Sequence, residues 1–292
     1  MKRIIWVSVI IVAIVLGGVF FVRSSNKEQK KFVQMAQKAE LEQEVSTFSI
    51  DGRSSKGVRQ WHLDGKSAEI IGEDIHLHDL KAVAYGDDST VRLSSKSGIY
   101  RKEKGEVELV GDVDVVSDEG FTLKTEKAFW SQNTKEISTD QVVHITSEGM
   151  KAVGTGGMAN SDEKRARLNK DVTVTMEPFT TVDCDGPLEI FYNDNMATFY
   201  NNVVVKDKDG ILFSDRLTVE FNPDTKQLDR VVAEGNVTVK KGKSYTVSEM
   251  AIYTDSTKSA QLLGNPRIII DPEEVATLEE ISKGQNPLGL TE

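Results

Sequence analysis

The sequence has little cysteine and few of the motifs that are typical of a catalytic protein. It has a single cysteine, Cys184, in 292 residues, so no intramolecular disulfide can form. Cys184 lies between Asp183 and Asp185, and flanking carboxylates raise the pKa of a thiol, which disfavours a nucleophilic role. No glycine-rich phosphate loop, Ser/His/Asp set or Cys-x-x-Cys motif is present. We therefore expect no catalytic residue, no enzymatic activity and no cofactor.

The sequence also has few histidines and no net positive charge. Among only four histidines, His76 and His78 share one face of a predicted strand with Asp74, a spacing that could seed a metal site. An outward polar face opposite Ile75 and Leu77 explains this pattern better, so we expect no bound metal. The net charge of −10 argues against a nucleic-acid partner. An anionic ligand would have to be held by local cations or by apolar contacts.

One long apolar run is present, and it covers residues 4–22 without a single charge. As a helix it would be about 28 Å long, which matches a hydrocarbon core of about 30 Å. The run ends in Phe20 and Phe21 without a small-x-small cleavage site, so residues 1–23 are predicted to be an uncleaved transmembrane anchor. More lysine and arginine residues follow the run than precede it, which by itself would place the remainder in the cytoplasm. Residues 24–45 are rich in helix formers and predict a helical stalk.

From residue 45 to residue 270 the apolar residues alternate with polar ones, which is the period of β-strands. Apolar pairs recur every 29 to 38 residues, and the residues that open them are Ile75, Val113, Val143, Val172, Val203 and Val237. Several pairs follow a dipeptide that is typical of turns: Gly111-Asp112, Asn201-Asn202, Gly235-Asn236 and Gly264-Asn265.

A second motif recurs about a dozen residues downstream of several of these pairs. It begins with a hydroxyl residue, which is usually followed by an acid. A small or apolar residue lies three positions after the hydroxyl residue, and a large residue lies two positions further. The four copies are Ser95–Tyr100, Thr125–Trp130, Ser214–Val219 and Ser248–Tyr253. The last two positions share a face, so the large side chain is predicted to point inward. The hydroxyl-acid step is predicted to be a bend, because serine and threonine can bond their own backbone.

Repeats of this length cannot bury their apolar faces alone and must stack on their neighbours. A β-helix-like solenoid and an open β-jelly roll both satisfy this requirement, and the uneven repeat lengths favour the roll. We therefore predict an all-β fold, an elongated open jelly roll of two antiparallel sheets. A change of repeat style near residue 160 predicts two such rolls, over residues 46–165 and 166–270. Asp271 and Pro272 predict the start of a short helix in a C-terminal segment, residues 271–292.

The order of these motifs resembles the LptC and LptA families of lipopolysaccharide export. The LptC-like part carries Phe48-Ser-Ile50, Trp61-His-Leu63, Gly111-Asp-Val-Asp-Val115, the stretch Phe121–Trp130 and Gly154-Thr-Gly-Gly157. The later part continues in LptA/OstA-like style, with Gly235-Asn-Val-Thr-Val239 and Ser248–Tyr253. A second block of about a hundred residues follows where the LptC family would end. The chain therefore resembles either an extended LptC or a fusion of LptC with LptA.

This resemblance implies a protein anchored by one span in the inner membrane, with its body in the periplasm. It implies that lipopolysaccharide is accepted from an ABC transporter complex and passed along a jelly-roll bridge toward the outer membrane. The other implied partner is an LptA-like bridge protein or a second copy, bound by edge-strand pairing. The resemblance also implies that inward side chains contact the lipid, and the candidates are Ile75, Leu77, Ile99, Val113, Val115, Phe121, Leu123, Trp130, Val143, Ile145, Val203, Val205, Val219, Val237, Val239 and Tyr253.

Two alternative functions remain open at this stage. A structural or adhesive β-solenoid would have a dry, close-packed interior without a slot that can open. A β-helical carbohydrate-active enzyme would need carboxylates about 5 to 9 Å apart in a cleft. The pairs Asp112/Asp114 and Asp183/Asp185 have carboxylates two residues apart, but solvated strand faces and turns explain them better. The sequence offers neither regular coil lengths nor a ladder of carboxylates.

Overall fold

A computed structural model describes residues 44–272, except 54–56, 86–89, 102, 132 and 161. The predicted anchor, the stalk up to residue 43 and the C-terminal segment from residue 273 lie outside the described residues. Within the described part, no helix is long and apolar enough to cross a membrane. The strands are β1 (Glu44–Arg53), β2 (Arg59–Ile71), β3 (Asp74–Tyr85), β4 (Thr90–Arg101), β5 (Glu106–Ser117), β6 (Thr122–Ser131), β7 (Glu136–Ser147), β8 (Met150–Asn160), β9 (Arg165–Met176), β10 (Thr180–Cys184), β11 (Leu188–Phe191), β12 (Met196–Lys206), β13 (Ile211–Phe221), β14 (Leu228–Lys241), β15 (Ser244–Thr254), β16 (Ser259–Leu263) and β17 (Arg267–Ile269).

The prediction of an all-β fold is confirmed, but the strands form one antiparallel sheet of 17 strands rather than two sheets. Strands β1 to β9 pair in sequence order. Both β10 and β11 then pair with β9 on one side and β12 on the other. Strands β12 to β15 continue the order, and β16 and β17 share the far edge of β15. The ladder crosses residue 165 without a break, since β9 begins there.

The sheet is continuous because most strands bend in their middle instead of ending. Gly111, Asp112, Gly235 and Asn236 all have positive φ and lie inside β5 and β14. Register shifts occur at the same places, for example between Glu234 and Val237. Glycine and asparagine tolerate this left-handed backbone better than other residues. The dipeptides predicted as turns between strands are therefore bends within strands.

The hydroxyl-acid motif lies at a bend in each of the four strands that carry it, as predicted. The Ser95 hydroxyl donates to the Ser97 carbonyl at 3.2 Å, and the Ser248 hydroxyl donates to the Met250 carbonyl at 3.1 Å. The acid of the motif contacts the bend dipeptide of the next strand. The side-chain amide of Asn236 on β14 donates to the carboxylate of Asp215 on β13 at 2.8 Å. The two motifs recur together because they meet across neighbouring strands.

Two strands are interrupted at the bend rather than bent. The segment between β10 and β11 contains Pro187, and the segment between β16 and β17 contains Pro266. Proline has no N–H to donate to the ladder, so pairing stops at these positions while β9 and β15 run through. At the interruption between β10 and β11, the Asn201 side chain of β12 donates a hydrogen bond to the Gly186 carbonyl at 2.7 Å.

The inner faces of the sheet form a large buried cluster from Phe48 to Val237, and Ala159 and Ala166 form a second, small one. Four of the valines that open the predicted repeats are among the most buried side chains, with exposures of 1–2%: Val113, Val172, Val203 and Val237. The spacing of the repeats therefore predicted the core correctly, because alternate side chains of a strand share a face.

One carboxylate is buried on the outer face of the sheet. Glu108 on β5 is 9% exposed and forms ion pairs with Lys127 and Arg101 on the flanking strands. The hydrogen bond from Lys127, and next the one from Arg101, hold the pKa of Glu108 below its ordinary value of 4.5. This lowered pKa means that the ionised form stabilises the folded state above the ordinary pKa. The contribution disappears as the pH falls through the lowered pKa of the folded state.

The substitution Glu108→Gln is expected to lower the free energy of unfolding at neutral pH by about 1–3 kcal/mol, the usual value for a hydrogen-bonded buried charge. The difference from the parent protein should shrink as the pH is lowered below 4.5, the ordinary pKa of this group. Urea unfolding at several pH values measures both effects. Glu119→Gln, at the exposed tip between β5 and β6, is the control and should change neither. A pH-independent loss in Glu108→Gln would contradict the prediction.

Candidate functional site

The inner faces of β6 to β13 do not close on each other completely but leave a cavity of about 120 Å³. Leu123 and Thr125 line it from one side of the bend in β6, and Ala128 lines it from the other. The two halves of the bent sheet therefore face each other across this space. All of the accessible wall is apolar. Such a cavity can accept hydrocarbon. The charged residue of its lining, Arg167, forms an ion pair with Glu189 at 3.7 Å.

The cavity exists because small residues replace large ones on the inner face of β8 and its neighbours. The inner positions of β8 include Ala152, Gly157 and Ala159, which all line the cavity. Ala166 and Ala197 add to this wall from β9 and β12. On β5, by contrast, the inner positions are filled by leucine and valine side chains. The glycine- and alanine-rich sequence of β8 was the available signal for this hollow, and sequence reasoning missed it.

The predicted lipid-contacting residues fall into several groups in the structure. Four line the cavity: Leu123, Val143, Ile145 and Val219. Seven others are buried in the core: Ile75, Leu77, Val113, Val115, Phe121, Val203 and Val237. Val205 and Val239 are partly buried against that core, and Trp130 and Tyr253 are half-buried. Their contact with lipid stays a prediction.

Ile99 differs from the rest of the predicted set. In the ladder it lies opposite His76 and Glu108, which are on the outer face, whereas their neighbours Ile75, Leu77 and Leu109 belong to the apolar core. It therefore lies on the outer face, because the bend in β4 shifts the alternation by one residue. Gly98 occupies the inward position that the alternation before the bend would have given to Ile99.

The polar groups that the sequence singled out do not form a reactive site. Cys184 is buried, and its burial, more than the flanking carboxylates, raises the pKa of the thiol. His76 is half-buried and His78 is exposed, on the face opposite Ile75 and Leu77. Among the described residues, no group of three or more His, Cys, Asp or Glu side chains is placed to hold a metal ion.

A bent antiparallel sheet around an apolar cavity is an architecture that can enclose an apolar ligand. The family model described as lipopolysaccharide-assembly, LptC-related, matches residues 9–177, which is more than half of the chain. The chain therefore belongs to the LptC-related family. The model described as LptA/(LptD N-terminal domain) LPS transport protein matches residues 187–283. The resemblance read from the sequence is thus confirmed: the chain is a lipopolysaccharide transport protein and not an enzyme.

A solved structure that is similar to the chain is LptH, the LptA-homologous periplasmic component of the lipopolysaccharide transport device from Pseudomonas aeruginosa. The two share 14% sequence identity with a TM-score of 0.35, over 42% of this chain and 95% of LptH. Comparison with curated proteins gives no match.

Proposed function

We propose that this protein is anchored in the inner membrane by residues 4–22 and carries lipopolysaccharide through the periplasm. It accepts the lipid from an ABC transporter complex and passes it along its bent sheet toward the outer membrane. The acyl chains lie in the cavity between the two halves of the sheet. The observation that carries this proposal is the apolar wall of that cavity, lined jointly by residues of both matched segments.

The energetics of the cavity support acyl chains as the bound part of the lipid. Each methylene that leaves water contributes about 0.8 kcal/mol, so a few buried methylenes hold a chain without any charge attraction. The protein carries a net charge of −10, which does not attract a phosphorylated headgroup. The headgroup therefore stays outside the cavity, in solvent.

Passage between the two matched segments takes place within one chain in this proposal. Ala152 on β8 and Ala197 on β12 line the same cavity but belong to different segments. Strand β9 is paired on both edges, with β8 on one side and β10 and β11 on the other. No edge is therefore open at this junction for a separate bridge protein.

The outermost strands remain for edge pairing with a bridge protein or a second copy. The last strands carry exposed apolar side chains, including Leu263, Ile268 and Ile269. Exposed apolar edges normally lead to aggregation unless they serve as docking sites, which supports β-augmentation by a partner here.

Photocrosslinking in cells tests the lipid-carrying proposal directly. A photoreactive amino acid at the cavity positions Leu123 and Val219 is expected to crosslink lipopolysaccharide at least ten times more than one at the adjacent positions Lys124 and Glu220. The adjacent residues lie on the other face of the same strands, so each pair is matched for position along the sheet. Equal yields from the two faces would sink the proposal.

A further inference from the structure

Four polar residues line the cavity, Thr125, Ser138, Thr139 and Arg167, and one of them, Thr125, has a buried hydroxyl without a hydrogen-bond partner among the described residues. Thr125 lines the cavity and is 8% exposed. Its hydroxyl has no hydrogen-bond partner among the described residues. A buried polar group without a partner costs free energy, so such groups need an explanation.

Comparison with other copies of the motif shows which hydrogen bond holds the bend at Thr125. In two other copies of the motif, Ser95 and Ser248 each donate to the carbonyl two residues further on. The equivalent carbonyl for Thr125 belongs to Lys127, and it already accepts the Thr139 hydroxyl at 2.6 Å. The backbone ladder between β6 and β7 is also open at residues 125–128. At this bend Thr139 makes the bond to the carbonyl that the motif's own hydroxyl makes in those two copies, and the Thr125 hydroxyl, like that of Ser214 in the fourth copy, has no partner among the described residues.

The same hydroxyl has almost no accessible surface in the structure, and the accessible wall of the cavity is apolar. A rotation about χ1 exchanges the hydroxyl and the methyl group of a threonine between staggered positions. Because the hydroxyl has no partner among the described residues, this rotation breaks no hydrogen bond there. A ligand in the cavity can therefore recruit the hydroxyl at the cost of a side-chain rotation alone.

We infer that Thr125 is a specificity-determining residue that hydrogen-bonds an oxygen atom on a bound acyl chain. The preferred ligand is an acyl chain that carries a hydroxyl or ester oxygen near its head, rather than a plain hydrocarbon chain. The threonine hydroxyl can both donate and accept, so it serves either kind of oxygen. This inference rests on the proposed function and adds to it the chemical selectivity of the cavity.

The test compares two fatty acids that differ by one hydroxyl. The full chain, reconstituted in lipid nanodiscs, is crosslinked to a photoreactive myristic acid in the presence of unlabelled myristic or beta-hydroxymyristic acid. The ratio of their half-maximal competing concentrations measures selectivity. Partition into the disc is the same for all variants and cancels when they are compared. Thr125→Val, which removes only the hydroxyl, is expected to reduce the preference for the hydroxylated acid at least fivefold.

Two variants act as controls. Thr125→Ser keeps the hydroxyl and should keep the preference. Ser214→Ala removes another buried hydroxyl without a partner among the described residues, but Ser214 does not line the cavity, so selectivity should not change. Thr125→Val should melt no lower than the parent protein, because it removes an unpaired polar group.

Each remaining outcome decides against the inference. An unchanged preference in Thr125→Val would overturn it, and so would a clear loss of thermal stability, which would show that the hydroxyl has a structural partner. Equal competition by the two acids in the parent protein would overturn the selectivity but leave the proposed function intact. If neither acid competes in the parent protein, acyl binding itself fails, and the inference fails with it.

Discussion

The substitution Ala152→Trp is expected to reduce crosslinking of lipopolysaccharide from the cavity at least tenfold while the protein stays folded. Ala152 is 5% exposed and forms part of the cavity wall on β8. An indole at this position would extend into the empty space of about 120 Å³ and occupy the place that we propose for an acyl chain. Because the space is empty, the added ring should avoid most of the cost of about 1–3 kcal/mol that overpacking a filled core brings. The yield of lipid crosslinked from a photoreactive residue at Leu123 measures the effect.

The matched control is Lys151→Trp, which places the same ring on the exposed face one residue away. It should leave the crosslinking yield unchanged. Thermal melting of both variants separates a blocked cavity from a damaged fold. Wild-type crosslinking from a folded Ala152→Trp protein would mean that the lipid does not use this cavity.

The substitution Phe121→Ala is expected to lower the free energy of unfolding by about 3–5 kcal/mol, which is the usual cost of removing a buried aromatic ring. Phe121 precedes β6 and is 1% exposed, the least of any large side chain in the described core. It does not line the cavity, so the space there does not help the site to adjust. Urea unfolding followed by circular dichroism measures the loss.

Phe179→Ala provides the control for this substitution. Phe179 is at the tip between β9 and β10 and is 66% exposed, so its removal should change the free energy of unfolding by no more than about 0.5 kcal/mol. A loss below about 1 kcal/mol in Phe121→Ala would show that the interior near β5 and β6 is loosely packed.

The expected effects at Ala152 and Phe121 differ because the interior is filled around β3 to β5 and hollow beside β8. Around β3 to β5 the inner positions carry residues such as Leu93, Leu109 and Val115, each with an exposure of no more than 5%. Around β8, alanine and glycine leave space between the halves of the sheet. In the proposed function, lipid that enters from the β1 end must therefore displace or pass the side chains around β3 to β5 before it reaches the cavity.

Much of the fold could be predicted from the sequence alone because its determinants are local. Alternation fixes which side chains share a face of a strand, so the pattern alone is enough to assign Val113, Val172 and Val203 to the core. The hydroxyl-acid motif predicts a bend because serine and threonine bond their own backbone, and Ser95 and Ser248 do so. The order of the motifs also indicates the family.

Local patterns failed where the outcome depends on the backbone conformation at a bend. Gly235 and Asn236 are typical of a turn that ends a strand, yet β14 runs through them. Whether a strand ends or bends depends on its neighbour: a side chain built on Gly235 would collide with Asp215 of β13, 2.3 Å away. The same bends shift the alternation in β4, so the prediction that Ile99 lies on the inner face is wrong.

The sequence by itself determined that this protein is a repeated β-structure with an apolar inner face, because strand period and bend chemistry act over a few neighbouring residues. Only the tertiary structure decided that the strands form one sheet and that its interior is hollow beside β8. A cavity depends on the summed volumes of side chains that meet across the sheet, and Leu123 and Val219, which line the same space, are far apart in sequence. Likewise, only the tertiary structure shows that Thr139, on the next strand, donates to the Lys127 carbonyl while the Thr125 hydroxyl has no partner among the described residues.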